Sequence, residues 1–334
     1  MLARLWRGSA PLTATGLAMV AVLALTVVGL AIDPRVVTGA PVWLKPAKFA
    51  VSIAIYSLTL AWMFTFLGAW LRTRRIVGWT TAIAMVVEMV IIGGQAFRGT
   101  TSHFNAETPF DMVLFVTMGF AIVVQTLSTI AVAVALWRTH FANQPLGWAM
   151  RLGMTLTIVG AFTGGLMTTP TTRQLDAARA GQGMAVSGAH TVGAPDGGPG
   201  LPGTGWSTAH GDLRVPHFVG LHALQALPVI AVVLGRRRLP ESARVRLIKI
   251  AAGSYVGLFG ILLAQALRGQ SVLAPDVVTI TMIGVWAAAT LAAARAAVSY
   301  RRKEDSKDQK ASFSWLRTDQ DDRIAAGRFS AGSR

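Results

Sequence analysis

Residues 76–97 read IVGWTTAIAMVVEMVIIGGQAF, 22 positions that hold a single charge, Glu88, between Arg74 and Arg75 on one side and Arg98 on the other. A helix rises 1.5 Å per residue, so a run of this length covers the roughly 30 Å hydrocarbon core of a bilayer. Strand is excluded, because an open strand edge in lipid leaves backbone groups unpaired. The same reading extends outward along the chain. Stretches 11–32, 47–70, 111–137, 147–167, 217–234, 247–267 and 277–298 are comparably apolar. The expectation is an all-α polytopic membrane bundle of eight transmembrane helices.

Composition supports it. The 334 residues are 53% hydrophobic and 14% charged, whereas soluble domains carry about 25% charged residues. There are 0 cysteines, which excludes disulfide frameworks, thiolate metal sites, c-type haem attachment and cysteine nucleophiles. Net charge is +16, a value that in a soluble protein would point to nucleic acid. Here it follows the positive-inside rule. With the N-terminus in the cytoplasm, Arg72, Arg74, Arg75, Arg138 and the group Arg236, Arg237, Arg238, Arg244 and Arg246 all fall in inside loops. On that topology 23 of the 31 basic residues lie inside or in the C-terminal tail. Asp33, Glu107, Asp111, Asp176, Asp196, Asp212 and Asp276 lie outside, against Glu241 alone in the inside loops. The sequence predicts a bacterial inner-membrane protein with both termini cytoplasmic, whose partners are the lipid bilayer and a small-molecule or lipid-soluble ligand, with no nucleic acid. The first apolar run is longer than the 7–15 residues of a signal-peptide core, so it reads as a retained helix.

The chain also echoes itself. GLAIDP at 29–34 and GLMTTP at 165–170 are 136 apart, while QAFRG at 95–99 and QALRG at 265–269 are 170 apart, as are Pro46 and Pro216. Two tandem four-helix repeats are therefore predicted, 1–140 and 141–299, followed by a polar tail, 300–334, that reads as a disordered cytoplasmic extension. Four helices per half would make the repeats parallel. The second half carries an insertion in its outside loop, 168–215, with ten glycines between Gly181 and Gly211. An inert spacer has no need of His190, Asp196, Trp206, His210, Asp212 and Arg214, so the loop reads as an ordered cap rather than a linker.

Candidate chemistry concentrates at that outer face. Glu88 is the lone acid deep within a span, which makes it a functional-site hypothesis, as a proton carrier, with structural pairing to Gln125 or Ser128 as the plain alternative. Gln95 shares its stripe, seven residues on. Five of the six histidines, His103, His190, His210, His217 and His222, fall on the outer side. Imidazole is the commonest ligand of transition metals and haem, so His103, His210, His217 and His222 are the candidate metal set. His222 is expected well inside helix six, facing with Gln225, and His217 in its first turn. Arg98 and Arg268, paired with Gln95 and Gln265, sit where positive residues are disfavoured. They suit either a bidentate clamp on a carboxylate or phosphate, with Lys45 and Lys48 nearby, or a lattice with Asp111 and Asp276. Asp212 joins the candidate ligand-binding set.

P-loop, GxGxxG and GxSxG signatures are absent from the sequence. The four-plus-four plan is similar to that of haem A synthases and other bis-histidine membrane haem proteins. Those families place histidine pairs on facing helices in both halves, whereas the position matching His222 here is Ser52, so the resemblance carries over no catalytic residue. Two functional classes follow. One is a metal- or haem-dependent membrane oxidoreductase or hydrolase with an outward-facing site. The other is a proton-coupled transporter or receptor for a small anionic ligand, in which case a Gly/Pro break in a helix is expected and Gly93–Gly94 is the place for it.

Overall fold

A computed structural model describes residues 1–299. Its elements in order are α1 (Leu2–Gly8), α2 (Ala10–Ile32), the hairpin β1 (Val36–Val37) and β2 (Ala40–Pro41), α3 (Leu44–Phe64), α4 (Leu71–Arg98), α5 (Pro109–Arg138) and α6 (Gln144–Thr168). Then come α7 (Thr172–Arg179), β3 (Thr191–Val192) paired antiparallel with β4 (Gly211–Asp212), α8 (Arg214–Leu221), α9 (Ala223–Gly235), α10 (Glu241–Leu267) and α11 (Val277–Ser299). Seven helices are long and apolar enough to cross a membrane, and eight spans result if the bent pair α8 and α9 counts as one. The chain is an all-α polytopic bundle, consistent with a multi-pass membrane protein. The predicted tail, 300–334, lies outside the described residues.

Helix starts obey local chemistry. Thr108 accepts from Asp111 N–H ahead of Pro109, and Asn143 accepts from Leu146 N–H ahead of Pro145, so side chains and prolines satisfy or remove the orphan donors of the first turn. Three details differ from the sequence expectation. The second apolar stretch does not stay helical to residue 70: α3 stops at Phe64 and tight turns carry Thr65–Leu67. Arg72, Arg74 and Arg75 are not in a loop but in the first turns of α4. Span six is broken at His222, with a 46° bend between α8 and α9, whereas α4 runs unbroken through Gly93 and Gly94.

Lipid tails are as apolar as leucine, so close packing rather than burial from water holds such helices together. Small residues supply the close approaches. A Cβ on Gly153 would lie 2.8 Å from the Ala223 carbonyl oxygen, and a Cβ on Gly160 or Gly220 would overlap the other's backbone. The largest buried cluster joins Leu60, Met63 and Phe64 of α3 with Val132 and Leu136 of α5, Met150 and Met154 of α6, and Leu224 of α9. It ties helices of both halves of the chain together at the level of the α3 C-terminus. Toward the other end of α3 the packing becomes polar, and the candidate site begins there.

Candidate functional site

The two arginine corners come first, because they decide what is left over. Gln95 donates from Nε2 to Asp111 Oδ1 at 2.8 Å, and Arg98 donates to the same oxygen at 2.6 Å and to Gln95 Oε1 at 2.5 Å. Thr108 Oγ1 donates to the other carboxylate oxygen at 2.6 Å. At the end of α10, Gln265 donates to the Ser271 carbonyl at 2.8 Å, and Arg268 pairs with Asp276. The Thr279 backbone N–H and Arg268 hold the Asp276 carboxyl well below the usual carboxylate range. Of the two readings open to Gln95, Arg98, Gln265 and Arg268, the geometry realises the lattice, with both guanidiniums engaged by protein carboxylates.

The loop between α6 and α8 is folded. Asp196 accepts from the backbone N–H groups of His190 and Thr191 and sits 2.7 Å from His190 Nδ1. Burial pushes its carboxyl up, but these donors and the imidazole outweigh burial and hold it well below the ordinary range. Asp212, 3% exposed, accepts from Ser207 N–H at 2.7 Å and from the Arg214 guanidinium at 2.5 Å. It builds the loop rather than facing a ligand. Further bonds seat the loop on its neighbours: Ala106 N–H to the Ala185 carbonyl at 2.8 Å, Lys48 Nζ to the Thr204 carbonyl at 2.6 Å, and Ser271 Oγ to the Ser207 carbonyl at 3.2 Å.

Beneath it lie cations and imidazoles. The spacing of Lys45, Lys48, Ser52, Tyr56 and Thr59 places all five on one face of α3. Lys45 is within electrostatic reach of Lys48, Arg214, Asp196 and Glu88, and makes no ion pair or hydrogen bond among the described residues. His103 packs edge-on against Phe49, ring centroids 5.7 Å apart, and Phe104, at φ 62°, stacks on His190 with centroids 4.8 Å apart. Burial holds His103 well below its ordinary 6.5, helped by the charges of Lys45 and His190, so it is neutral at pH 7. Burial also lowers His190, with Asp196 opposing.

Glu88 lies deeper on α4 and is 1% exposed. Neither carboxylate oxygen has a hydrogen-bond partner. The predicted structural partners are occupied elsewhere. Gln125 Nε2 donates to Tyr56 OH at 2.7 Å, and Ser128 Oγ donates to the Val124 carbonyl at 2.9 Å. The cation whose charge acts on Glu88 is Lys45. Gln125 Oε1 and Gln225 Oε1 are likewise buried without partners. On the α9 side, Gln225 Nε2 reaches Thr59 Oγ1 at 3.4 Å, while Ser52, nearer the N-terminal end on the same α3 face, is exposed.

The histidines do not gather. Among the described residues no group of three or more His, Asp or Glu side chains is arranged to hold a metal ion. His217 turns inward from the first turns of α8: its Nδ1 is 2.9 Å from the Gly160 carbonyl and 3.1 Å from Thr163 Oγ1. A carbonyl only accepts, so Nδ1 carries the proton. His222 is not inside a continuous helix but at the joint between α8 and α9, its ring 4.2 Å from that of Phe218. The backbone freed by the break is bonded from another helix, since Thr157 Oγ1 donates to the Leu221 carbonyl and accepts from Leu224 N–H, both at 3.1 Å. His210 stands exposed beside Gly193. Sequence reasoning placed Lys45 and Lys48 only as background charge, and the signal that could have promoted them is their register with Ser52 and Tyr56. No protein-family model, curated protein or solved structure matches the chain.

Proposed function

We propose that this chain is a proton-coupled membrane carrier for a small anion, taken up from the outer side of a bacterial inner membrane with both termini in the cytoplasm. One observation carries the reading: Glu88 is buried without any hydrogen-bond partner below an unpaired Lys45. An isolated charge in a span costs at least about 2.5–3.5 kcal/mol, so such a group persists where it does work. Lys45 and Lys48 offer the anion its counter-charge, and the bent α8–α9 joint, whose Gln225 reaches Thr59 further along the same face of α3, is the kind of discontinuous helix that lines transport sites. An anion seated on Lys45 removes the positive field that favours the Glu88 carboxylate, so anion and proton bind together. The shared QAxRG ends of α4 and α10 support two parallel four-helix repeats that rock around these residues. A metal or haem centre built on His103, His210, His217 and His222 has less support, because those imidazoles sit in four separate settings.

The test is transport by purified protein in liposomes, with inorganic phosphate and short carboxylates as probe anions and an internal pH dye. Wild type is expected to carry protons inward with the anion. Glu88→Gln should bind the anion yet move no protons, and Lys45→Met should lose anion binding by about tenfold or more, the worth of one close charge in a poorly solvated site. Proton-coupled uptake that survives Glu88→Gln overturns the reading.

A further inference from the structure

The end of the bundle that carries the N-terminus holds a second cleft, separate from the cap and from Glu88. It is an open groove of about 190 Å³ between α1, the first turn of α2 and the first three turns of α4. Arg7, Arg74 and Arg75 line it together with Ser9, and the indoles of Trp6 and Trp79 flank it. Among the described residues no carboxylate lines it. Arg74 donates from Nη2 to the Arg7 and Gly8 carbonyls, both at 2.7 Å, which fixes its guanidinium, while its Nε is buried with no partner. Arg7 and Arg75 form no ion pair among the described residues. Ser9 does not cap α2, and the backbone N–H groups of Ala10 and Leu12 find no acceptor, Pro11 between them having none to offer. The 23-residue α2 therefore turns an uncapped, positive end toward three arginines.

Charge at this end is one-sided. Glu241 is the one acid on it among the described residues, and its carboxylate is used on Gln144 N–H at the start of α6. The ligand that complements forked guanidiniums, a hydroxyl and free helix N–H groups is a phosphate. Trp6 is 41% and Trp79 56% exposed, and indoles of that kind settle at the headgroup level of a bilayer. A basic pocket between spans at that level is where acidic lipid headgroups bind. We infer that the cleft formed by Arg7, Ser9, Arg74 and Arg75 is a binding site for the phosphodiester headgroup of an anionic membrane phospholipid. The site pins α1 to the start of α4, and it does not depend on the carrier reading.

The test is native mass spectrometry of the full chain, released from mild detergent with added phosphatidylglycerol or phosphatidylcholine. Phosphatidylglycerol should bind about tenfold or more tightly than phosphatidylcholine, given roughly fivefold per basic residue near an anionic headgroup. The double variant Arg7→Gln, Arg75→Gln should remove that preference, and Ser9→Ala, a mild change that leaves every charge in place, should lower it about two- to threefold. Arg138→Gln, which deletes an exposed arginine outside the cleft, should leave it unchanged. Equal binding of the two lipids, or an equal loss in Arg138→Gln, overturns the site. Displacement of phosphatidylglycerol by millimolar inorganic phosphate would assign the cleft to a soluble anion and overturn the lipid.

Discussion

At their C-terminal ends α4 and α10 carry the same device. Gln95 and Gln265 turn their amides back onto the loop that follows, Arg98 and Arg268 reach a carboxylate at the start of the next span, and Gly99 and Gly269 close the helices at φ 75° and 71°. The backbone agrees too, with Thr100 N–H bonded to the Gln95 carbonyl and Gln270 N–H to that of Gln265, the Schellman closure. The surroundings differ. Asp111 is 3% exposed, whereas the Asp276 side chain is 38% exposed. The interiors differ more: at the position matching Glu88, α10 has Leu258. A short sequence therefore suffices to end a span in either setting. The buried acid of α4 is an addition that ending the span did not require.

The largest expected effect comes from making α4 resemble α10. Glu88→Leu should abolish proton-linked uptake, by about 100-fold or more if Glu88 is the coupling acid, while raising stability by about 1–3 kcal/mol because a buried group without a partner is removed. Loss of uptake together with lower stability would make Glu88 a structural residue. The reverse change, Leu258→Glu, should destabilise by about 2 kcal/mol or more without adding transport.

Next in size is the contrast between the corners. Asp111→Ala removes the shorter of the two bonds made by the buried Gln95 amide and the partner of Arg98, and should cost about 1–2 kcal/mol in a denaturant titration in micelles, the half-exposed arginine limiting the loss. Asp276→Ala should shift the same curve less. The opposite order would mean that exposure does not govern the corners. Gly99→Ala and Gly269→Ala should then cost the same, about 1 kcal/mol, because both hold a left-handed backbone that a side chain resists. Unequal losses would show that the ends are not equivalent.

The smallest effect belongs to the cap. His190 is held below its ordinary pKa and Asp196 below the ordinary carboxylate range. Both groups take up protons more readily when unfolded, so their contribution to stability is complete above about pH 6.5 and declines as pH falls, first through His190 and then through Asp196. Cleavage of the loop by added protease should accelerate a few-fold between pH 7.5 and 5.5, and His190→Asn should flatten that dependence. Acceleration toward higher pH would reverse the assignment.

The spans were readable because their length and apolar content are dictated by the bilayer, and the cap because a linker has no use for Asp196 or Trp206. Arg72, Arg74 and Arg75 were read as a loop since charge marks an interface, yet a helix continues through an interface when its arginines can reach water. The break at His222 was invisible: what makes it tolerable is Thr157, on another helix and 65 residues earlier. The inward turn of His217 was hidden for the same reason, since the Gly160 carbonyl, Thr163 and the space left by Gly164 all belong to α6. Glu88 could be singled out from sequence, but its lack of partners is a tertiary fact.

The cap raises a question of time. It is bonded at once to the α4–α5 loop, to α3 through Lys48 and to the α10–α11 turn through Ser271, and Gly197 lies against Gly39 of the β1–β2 hairpin. For the proposed carrier, a solute that must pass beneath the cap waits until several of these attachments release together. Entry is then set by how often the loop lifts, not by how fast the solute diffuses, and the same barrier delays escape. Slow association and long occupancy are the signature to look for, even where the equilibrium affinity is modest.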